Sequence, residues 1–218
     1  PEVKDAFSSF GTVKPSKQQS ISAFLIGACG LADSQLIAEA LAIVAGATLD
    51  PADPAVSLEE TEGIVEVLVG AYAGEVAAAP GFVAPNLISN ASAALANVAN
   101  LGDEYIKAIG GSGGLDLYLD WLQTSAGNEH TVARICLLLS ELVWDPDHLA
   151  AFVSKGGINH IKTVLETDGT TPTRIENALQ VFVAISQSDN EDARIQLVQA
   201  GLIELLLVKM GGHKTQNS

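Results

Sequence analysis

The residue types that most often carry chemistry do not occur here at the spacings that catalysis or metal binding requires. No His-Glu-x-x-His pattern is present, and no Ser-His-Asp or Cys-His set can be assigned to a common site. None of the four histidines has a partner at metal-ligand spacing: His130, His148, His160 and His213. The sequence therefore predicts that the protein is not an enzyme and that it carries no cofactor and no metal ion.

Two short segments have the composition of ligand-binding loops but not the pattern. The glycine-rich segment 110–114 opens a predicted helix, where a phosphate could bind, but it follows no predicted strand and no Lys-Ser or Lys-Thr pair comes after it. The acidic segment 50–53 lacks the Asp-x-Asp-x-Asp-Gly pattern of a calcium loop. We interpret the glycines as a turn between two helices and the acidic segment as part of a surface loop.

The composition indicates helices packed around an aliphatic core. Hydrophobic residues make up 48% of the 218 residues, whereas aromatic residues make up only 5%. The net charge of −15 argues against binding to nucleic acid or anionic membranes and permits a basic protein or peptide partner. The most apolar run, 21–47, is interrupted by Asp33 and Glu39, so it does not have the uninterrupted length that a membrane span needs.

The two cysteines, Cys29 and Cys136, both lie inside apolar helical patterns. Thiols in such positions are typically buried and unpaired in a reducing compartment. We therefore predict a cytoplasmic protein, with association with the cytoskeleton as an open alternative. The sequence begins at Pro1 rather than at methionine, so it is either processed or part of something longer.

An apolar helix, a glycine turn and a second apolar helix recur along the chain at nearly constant spacing. The clearest copy is 190–210, in which Gly201 separates the two helices. Gly156 precedes Gly201 by 45 residues, and Gly113 precedes Gly156 by 43 residues. A weaker copy occurs at 59–68. Glycine is expected at each of these turns because it adopts the left-handed backbone conformation at low cost.

A third, longer helix is predicted between successive pairs, at 86–99, 131–143 and 174–186. Each of these segments places apolar residues at i, i+4 and i+7, which is one face of a helix. The three sets superpose at offsets of 43 and 44 residues: Ala91, Leu95 and Val98; Ile135, Leu139 and Leu142; Ala178, Phe182 and Ile185. A common offset for all three helices indicates a structural repeat.

This three-helix unit resembles the armadillo repeat. The period lies in the armadillo and HEAT range, and the stretch Ala94-Leu95-Ala96-Asn97-Val98-Ala99 is similar to the third-helix signature of the armadillo family. The resemblance implies an all-α, right-handed superhelical solenoid of about four three-helix repeats, the first of them irregular. We predict an N-terminal extension at 1–16, a single repeat domain at 17–210 and a flexible tail at 211–218.

The resemblance also implies that the third helices line a groove that binds an extended peptide or a partner helix. In the family an asparagine at the position of Asn97 often binds the peptide backbone; the equivalent positions here are Glu141 and Ala184. The tryptophans that nuclear-import receptors carry four residues earlier are replaced by Ala93, Leu137 and Gln180, which argues against binding of nuclear localisation signals. The predicted groove residues are Asn90, Asn97, Arg134, Glu141, Trp144, Arg174, Asn177 and Gln180.

The two tryptophans receive different predictions. Trp121 ends an apolar helix and is expected in the core. Trp144 follows a third helix, where it is either an exposed contact residue for a partner or, as the sequence favours, packed between repeats.

The function predicted from the sequence is a protein-interaction scaffold or adaptor. One alternative is self-association through the end of the solenoid, since the apolar helix at 202–208 has no predicted third helix after it. Another is a regulatory armadillo domain of a small-GTPase effector or a cytoskeletal protein.

Overall fold

The computed structural model describes residues 61–66, 68–69, 85–111, 113–167 and 171–214. The predictions for the N-terminal extension, Cys29 and the acidic segment 50–53 concern residues outside these ranges. Residues 61–66 and 68–69 are helical, and the described chain from residue 85 onward forms nine helices. They are α1 (Pro85–Ala99), α2 (Asp103–Gly110), α3 (Gly114–Thr124), α4 (Glu129–Leu142), α5 (Pro146–Ser154), α6 (Gly157–Glu166), α7 (Pro172–Gln187), α8 (Glu191–Gln199) and α9 (Leu202–Lys214).

The helices follow the predicted repeat order. The third helices are α1, α4 and α7, and the helix pairs are α2–α3, α5–α6 and α8–α9. The described residues contain no strand, so the all-α class is confirmed. The last helix continues to Lys214, which is four residues beyond the predicted end of the repeat domain. No described helix is long and apolar enough to cross a membrane.

Glycine turns join the two helices of each pair, as predicted. Gly113, Gly156 and Gly201 have φ angles of 84°, 76° and 72°, a left-handed conformation that side chains with a Cβ rarely adopt. The next residue, Gly157, is required for a different reason. A Cβ atom there would lie 2.4 Å from the ring of Phe152, so glycine allows α5 and α6 to approach closely.

Polar side chains at the helix starts accept hydrogen bonds from the first-turn amides, which have no partner within the helix. Asn128 caps α4, Asp145 caps α5, Thr171 caps α7 and Asn190 caps α8. A second carboxylate, that of Asp147, lies in the first turn of α5, two residues after the cap, where it faces the positive end of the helix dipole. Two of these caps, Asn128 and Thr171, stabilise the starts of the third helices α4 and α7.

The core consists of the apolar faces identified from the repeat. All nine positions at i, i+4 and i+7 of the third helices are buried. Trp121 is fully buried, as predicted, and packs at a tilt against Tyr118. Cys136 is a buried free thiol, and burial raises its pKa to about 12.

Candidate functional site

The third helices α1, α4 and α7 pack side by side, and each exposes one stripe of residues. The stripe recurs at i, i+3, i+7 and i+10, which covers one face of a helix. The equivalent positions form four rows across the three helices. These rows are Asn90, Arg134 and Asn177; Ala93, Leu137 and Gln180; Asn97, Glu141 and Ala184; Asn100, Trp144 and Gln187. We call this the third-helix surface, and all of its members except Ala184 are partly or fully exposed.

The first row holds the helices together. The Nη1 group of Arg134 donates to the carbonyl oxygen of Ser89 at 3.2 Å, to its hydroxyl at 3.0 Å and to the Asn90 side chain at 3.3 Å. One repeat later, Asn177 donates to the carbonyl oxygen of Ala133 at 2.8 Å. Ser89 and Ala133 are themselves equivalent positions, so the same bond recurs at both junctions. These predicted groove residues therefore contribute to the spacing of α1, α4 and α7.

Arg174 does not lie on the third-helix surface, although the sequence placed it there. Its side chain is only 2% exposed, and its Nη1 group pairs with the carboxylate of Glu129 at the start of α4. Thr171 adds two hydrogen bonds of 3.1 Å to the same carboxylate, from its backbone amide and its hydroxyl. The reason is positional: Arg174 precedes the exposed stripe by one turn and faces the N-terminus of the neighbouring third helix.

The pKa of Glu129 reflects the electrostatic environment at the contact between α4 and α7. Partial burial alone would raise the pKa of its carboxyl group, but the hydrogen bonds from Thr171 and the pairing with Arg174 outweigh it and hold the pKa below its ordinary value. Sequence reasoning missed Glu129. A signal was available, because Glu129 and Arg174 are opposite charges 45 residues apart, which is one repeat.

The second, third and fourth rows contain the other predicted site residues of the stripe that reach solvent. Asn97 and Glu141 are half-buried, whereas the equivalent Ala184 is buried beneath the surface. Trp144 is 52% exposed, so the prediction that it packs between repeats is wrong. Gln180 is exposed in the second row. The sequence had not singled out Asn100 and Gln187, which extend the stripe by one turn at the same spacing.

Neutral amides make up half of the third-helix surface and lie on its two outer helices, α1 and α7. Six of its twelve positions are amides: Asn90, Asn97, Asn100, Asn177, Gln180 and Gln187. An amide side chain can donate and accept at the same time, which is what an extended peptide backbone requires of its neighbours. Arg134 and Glu141 are the charged members of the stripe, and Arg134 is engaged with the preceding helix.

A pocket of about 510 Å³ lies away from the third-helix surface. Most of its lining comes from α3, the second helix of its pair. Its lining includes Asp116 and Asp120 of α3 and His160 of α6, together with Lys155, which forms an ion pair with Asp116. Within the described residues, no group of three His, Cys, Asp or Glu side chains is placed to hold a metal ion. We therefore take the third-helix surface as the candidate site.

The repeated three-helix units and the row of adjacent third helices define an armadillo-type α-solenoid. No protein-family model matches the chain, and no curated protein matches it in sequence. Several solved structures share its fold. A designed armadillo repeat protein is 20% identical, with a TM-score of 0.59, and the match covers 94% of this chain and 89% of that one.

Two further similar structures are of proteins associated with peptide binding. One comes from computationally designed armadillo repeat proteins for modular peptide recognition. It is 19% identical, with a TM-score of 0.61, and the match covers 86% of this chain and 71% of that one. The other is a designed armadillo repeat protein in complex with the peptide (KR)4, at 18% identity and a TM-score of 0.61, covering 85% and 72%. At these identities the likeness establishes the fold.

Proposed function

We propose that the protein is a non-enzymatic interaction scaffold that holds an extended segment of a partner protein on its third-helix surface. The observation that carries this proposal is the set of six partly or fully exposed amides that the third-helix surface carries on α1 and α7. A segment lying across the three helices would meet amides on the two outer ones, α1 and α7, and the charged side chains of α4 between them. The amides are Asn97 and Asn100 on α1 and Asn177, Gln180 and Gln187 on α7. An extended peptide backbone can form hydrogen bonds with amide side chains whatever its own sequence is. The other side chains of the surface would therefore select the partner.

The similar structures support this proposal by analogy. One designed armadillo protein was solved with a bound peptide, and another set is described as built for modular peptide recognition. The buried thiol of Cys136 is consistent with the cytoplasmic location that we propose for the protein.

The first test removes amides from the surface. We expect Asn97→Ala, Gln180→Ala and Gln187→Ala together to reduce capture of a partner from native extract by about tenfold or more, since each lost hydrogen bond contributes about 0.5–1.5 kcal/mol. The readout is quantitative mass spectrometry of the captured proteins, followed by direct binding of the best candidate. These substitutions leave the Arg134 and Asn177 hydrogen bonds intact. The thermal unfolding of the triple variant is measured alongside, so that a loss of capture is assigned to the surface only if the variant is folded.

The matched control removes three exposed amides from other helices: Gln123→Ala in α3, Asn159→Ala in α6 and Gln196→Ala in α8. The control variant should capture the same proteins as the unmodified chain. Equal capture by both triple variants would contradict the proposed site.

A second candidate function is self-association through α8 and α9. In α6, Ile158 is only 4% exposed, whereas Ile203, its equivalent one repeat later in α9, is 54% exposed. Leu207 and Val208 are 64% and 71% exposed on the same helix. No third helix packs on α9 among the described residues, and a second copy of the chain would cover this apolar surface.

Analytical ultracentrifugation tests the second candidate. If self-association is the function, the chain should sediment as a concentration-dependent dimer and Ile203→Glu should sediment as a monomer, because a carboxylate cannot be buried there without a partner. Thr163→Glu, an equally acidic change at an exposed position of α6, serves as the control. A monomer at high concentration would eliminate this candidate.

A further inference from the structure

We propose that Thr171 is a phosphorylation site, and that its phosphoryl group replaces Glu129 as the partner of Arg174. The site lies at the start of α7, outside the stripe that is proposed to hold a partner segment, so it goes beyond the proposed function. The phosphoryl donor is ATP, and the enzyme is a protein kinase of the proline-directed class.

The hydroxyl of Thr171 lies where a kinase can reach it. Thr171 is exposed and is the N-cap of α7, one residue before the helix begins at Pro172. Its backbone is extended, with φ of −67° and ψ of 151°, because a following proline disfavours the helical conformation. Thr171-Pro172 is the one Ser-Pro or Thr-Pro pair in the sequence, and a proline directly after the acceptor hydroxyl is what this class of kinase selects.

Phosphoryl transfer would change the charge at the contact between α4 and α7. The Oγ1 atom of Thr171 attacks the γ-phosphorus of ATP, and the bond from that phosphorus to the β–γ bridging oxygen breaks. ADP leaves, and the hydroxyl proton passes to the kinase or to water. The product carries about −1.5 to −2 charges at neutral pH and three strong acceptor oxygens. Thr171 then has no hydroxyl proton to donate.

The new charge would lie against the carboxylate of Glu129. In the unmodified protein, the hydroxyl and the backbone amide of Thr171 each donate to Oε2 of Glu129 at 3.1 Å. A phosphoryl group on that hydroxyl oxygen would face an ionised carboxylate at close range, where like charges repel. Because the Glu129 side chain is 36% exposed, it has solvent to turn into.

Arg174 supplies a second, independent observation. Its side chain is only 2% exposed and pairs with Glu129 through Nη1, while its Nε group has no hydrogen-bond partner among the described residues. A buried N–H group without an acceptor is costly, and a phosphoryl oxygen is a strong acceptor for a guanidinium.

The helix itself also favours the phosphoryl group. Arg174 follows Thr171 by three residues, which places both on one side of the first turn of α7. The positive end of the α7 dipole stabilises a negative charge at the cap. The phosphoryl group would therefore hold Arg174 within its own helix and release it from Glu129 of α4.

A kinase assay tests the site. The full chain is incubated with ATP and a cyclin-dependent kinase that phosphorylates a standard Thr-Pro peptide in the same reaction, and tandem mass spectrometry locates the product. We expect one phosphoryl group on Thr171 of the folded chain and none on this site in Thr171→Ala. Pro172→Ala should slow incorporation at least about tenfold. Incorporation at other residues alone, or no incorporation, would overturn the proposal.

A double-mutant cycle tests the exchange of partners. Thr171→Asp imitates the phosphoryl charge, and Thr171→Asn is its neutral match, since both residues are good N-caps. We expect Glu129→Gln to lower the folding equilibrium constant about thirtyfold in the unmodified chain and in Thr171→Asn. The same change should lower it less than about fivefold in Thr171→Asp and in the phosphorylated chain, because Arg174 no longer depends on Glu129 there. Chemical denaturation measures each chain.

The matched control is Thr173→Asp, which adds the same charge at an exposed position of the same helical turn. In this variant Glu129→Gln should keep its full effect. An equal effect of Glu129→Gln in all chains would show that Arg174 keeps its partner and would overturn the exchange. An equal reduction in Thr173→Asp and Thr171→Asp would assign the effect to the helix dipole and would overturn it as well. Either failure leaves the proposed function standing, since partner capture tests residues of the amide stripe.

Discussion

Replacement of Trp121 with alanine is expected to lower the free energy of unfolding by about 3–5 kcal/mol, the range for removal of a fully buried aromatic side chain. Trp121 has no exposed surface, and its ring lies 5.5 Å from that of Tyr118 at an interplanar angle of 55°. The hydroxyl of Tyr118 in turn donates to the carbonyl oxygen of Ile109 at 3.1 Å, which ties α3 to α2. A cavity at Trp121 therefore weakens the packing of a whole helix pair.

The chain contains a matched control, because its other tryptophan is exposed. Trp144→Ala deletes the same side chain from the surface and should change stability by no more than about 0.5 kcal/mol. Urea denaturation followed by far-UV circular dichroism measures both variants. A solenoid is stabilised mainly by contacts between adjacent repeats, so Trp121→Ala is also expected to broaden the transition. Equal losses in the two variants would contradict the assignment of Trp121 to the core.

The second large effect is expected from Glu129→Gln, which removes the negative charge that pairs with buried Arg174. Breaking a buried ion pair costs about 3–5 kcal/mol; because the Glu129 side chain is 36% exposed, we expect a smaller loss of about 2 kcal/mol at neutral pH. The guanidinium is left without a counter-charge, and its Nε group already has no hydrogen-bond partner in the described structure. The junction between α4 and α7 should loosen, and with it the spacing of the third-helix surface.

The pH dependence of stability identifies the carboxylate responsible. The folded pKa of Glu129 lies below its ordinary value of 4.5, so its stabilisation is complete above that pH and is lost as the pH falls through the folded pKa. The difference between the unmodified protein and Glu129→Gln should therefore shrink in acid. Chemical denaturation at neutral and acidic pH measures this difference.

The control for this variant is Asp116→Asn, which removes the negative charge of another ion pair between repeats. Asp116 and Lys155 are 64% and 39% exposed, and exposed pairs contribute little, so the change should be within about 0.5 kcal/mol. If Asp116→Asn destabilises the protein as much as Glu129→Gln, then burial of Arg174 is not what makes the Glu129 pair important.

The architecture could be predicted from the sequence because its determinants are local. The i, i+4, i+7 pattern identified α1, α4 and α7 because a helix must bury one continuous face. The turns at Gly113, Gly156 and Gly201 were predictable because glycine is the residue that adopts positive φ without strain. These signals act within a few residues, and repetition along the chain reinforces them.

The candidate site was predictable only in part, because the role of a polar residue depends on what its neighbouring helix places against it. Asn97, Glu141 and Gln180 remain accessible, whereas Arg134 and Asn177 bond to the preceding third helix. The helical pattern alone does not distinguish these cases, because all five positions lie off the apolar core face.

The sequence by itself determined the helices, their order and their apolar faces. The tertiary structure decided which side chains reach solvent: it buries Arg174 against Glu129, one repeat away, and exposes Trp144 at the end of α4. The physical reason is that burial of a long side chain depends on the partner that the adjacent repeat supplies, and that partner is fixed by packing between residues about 45 positions apart.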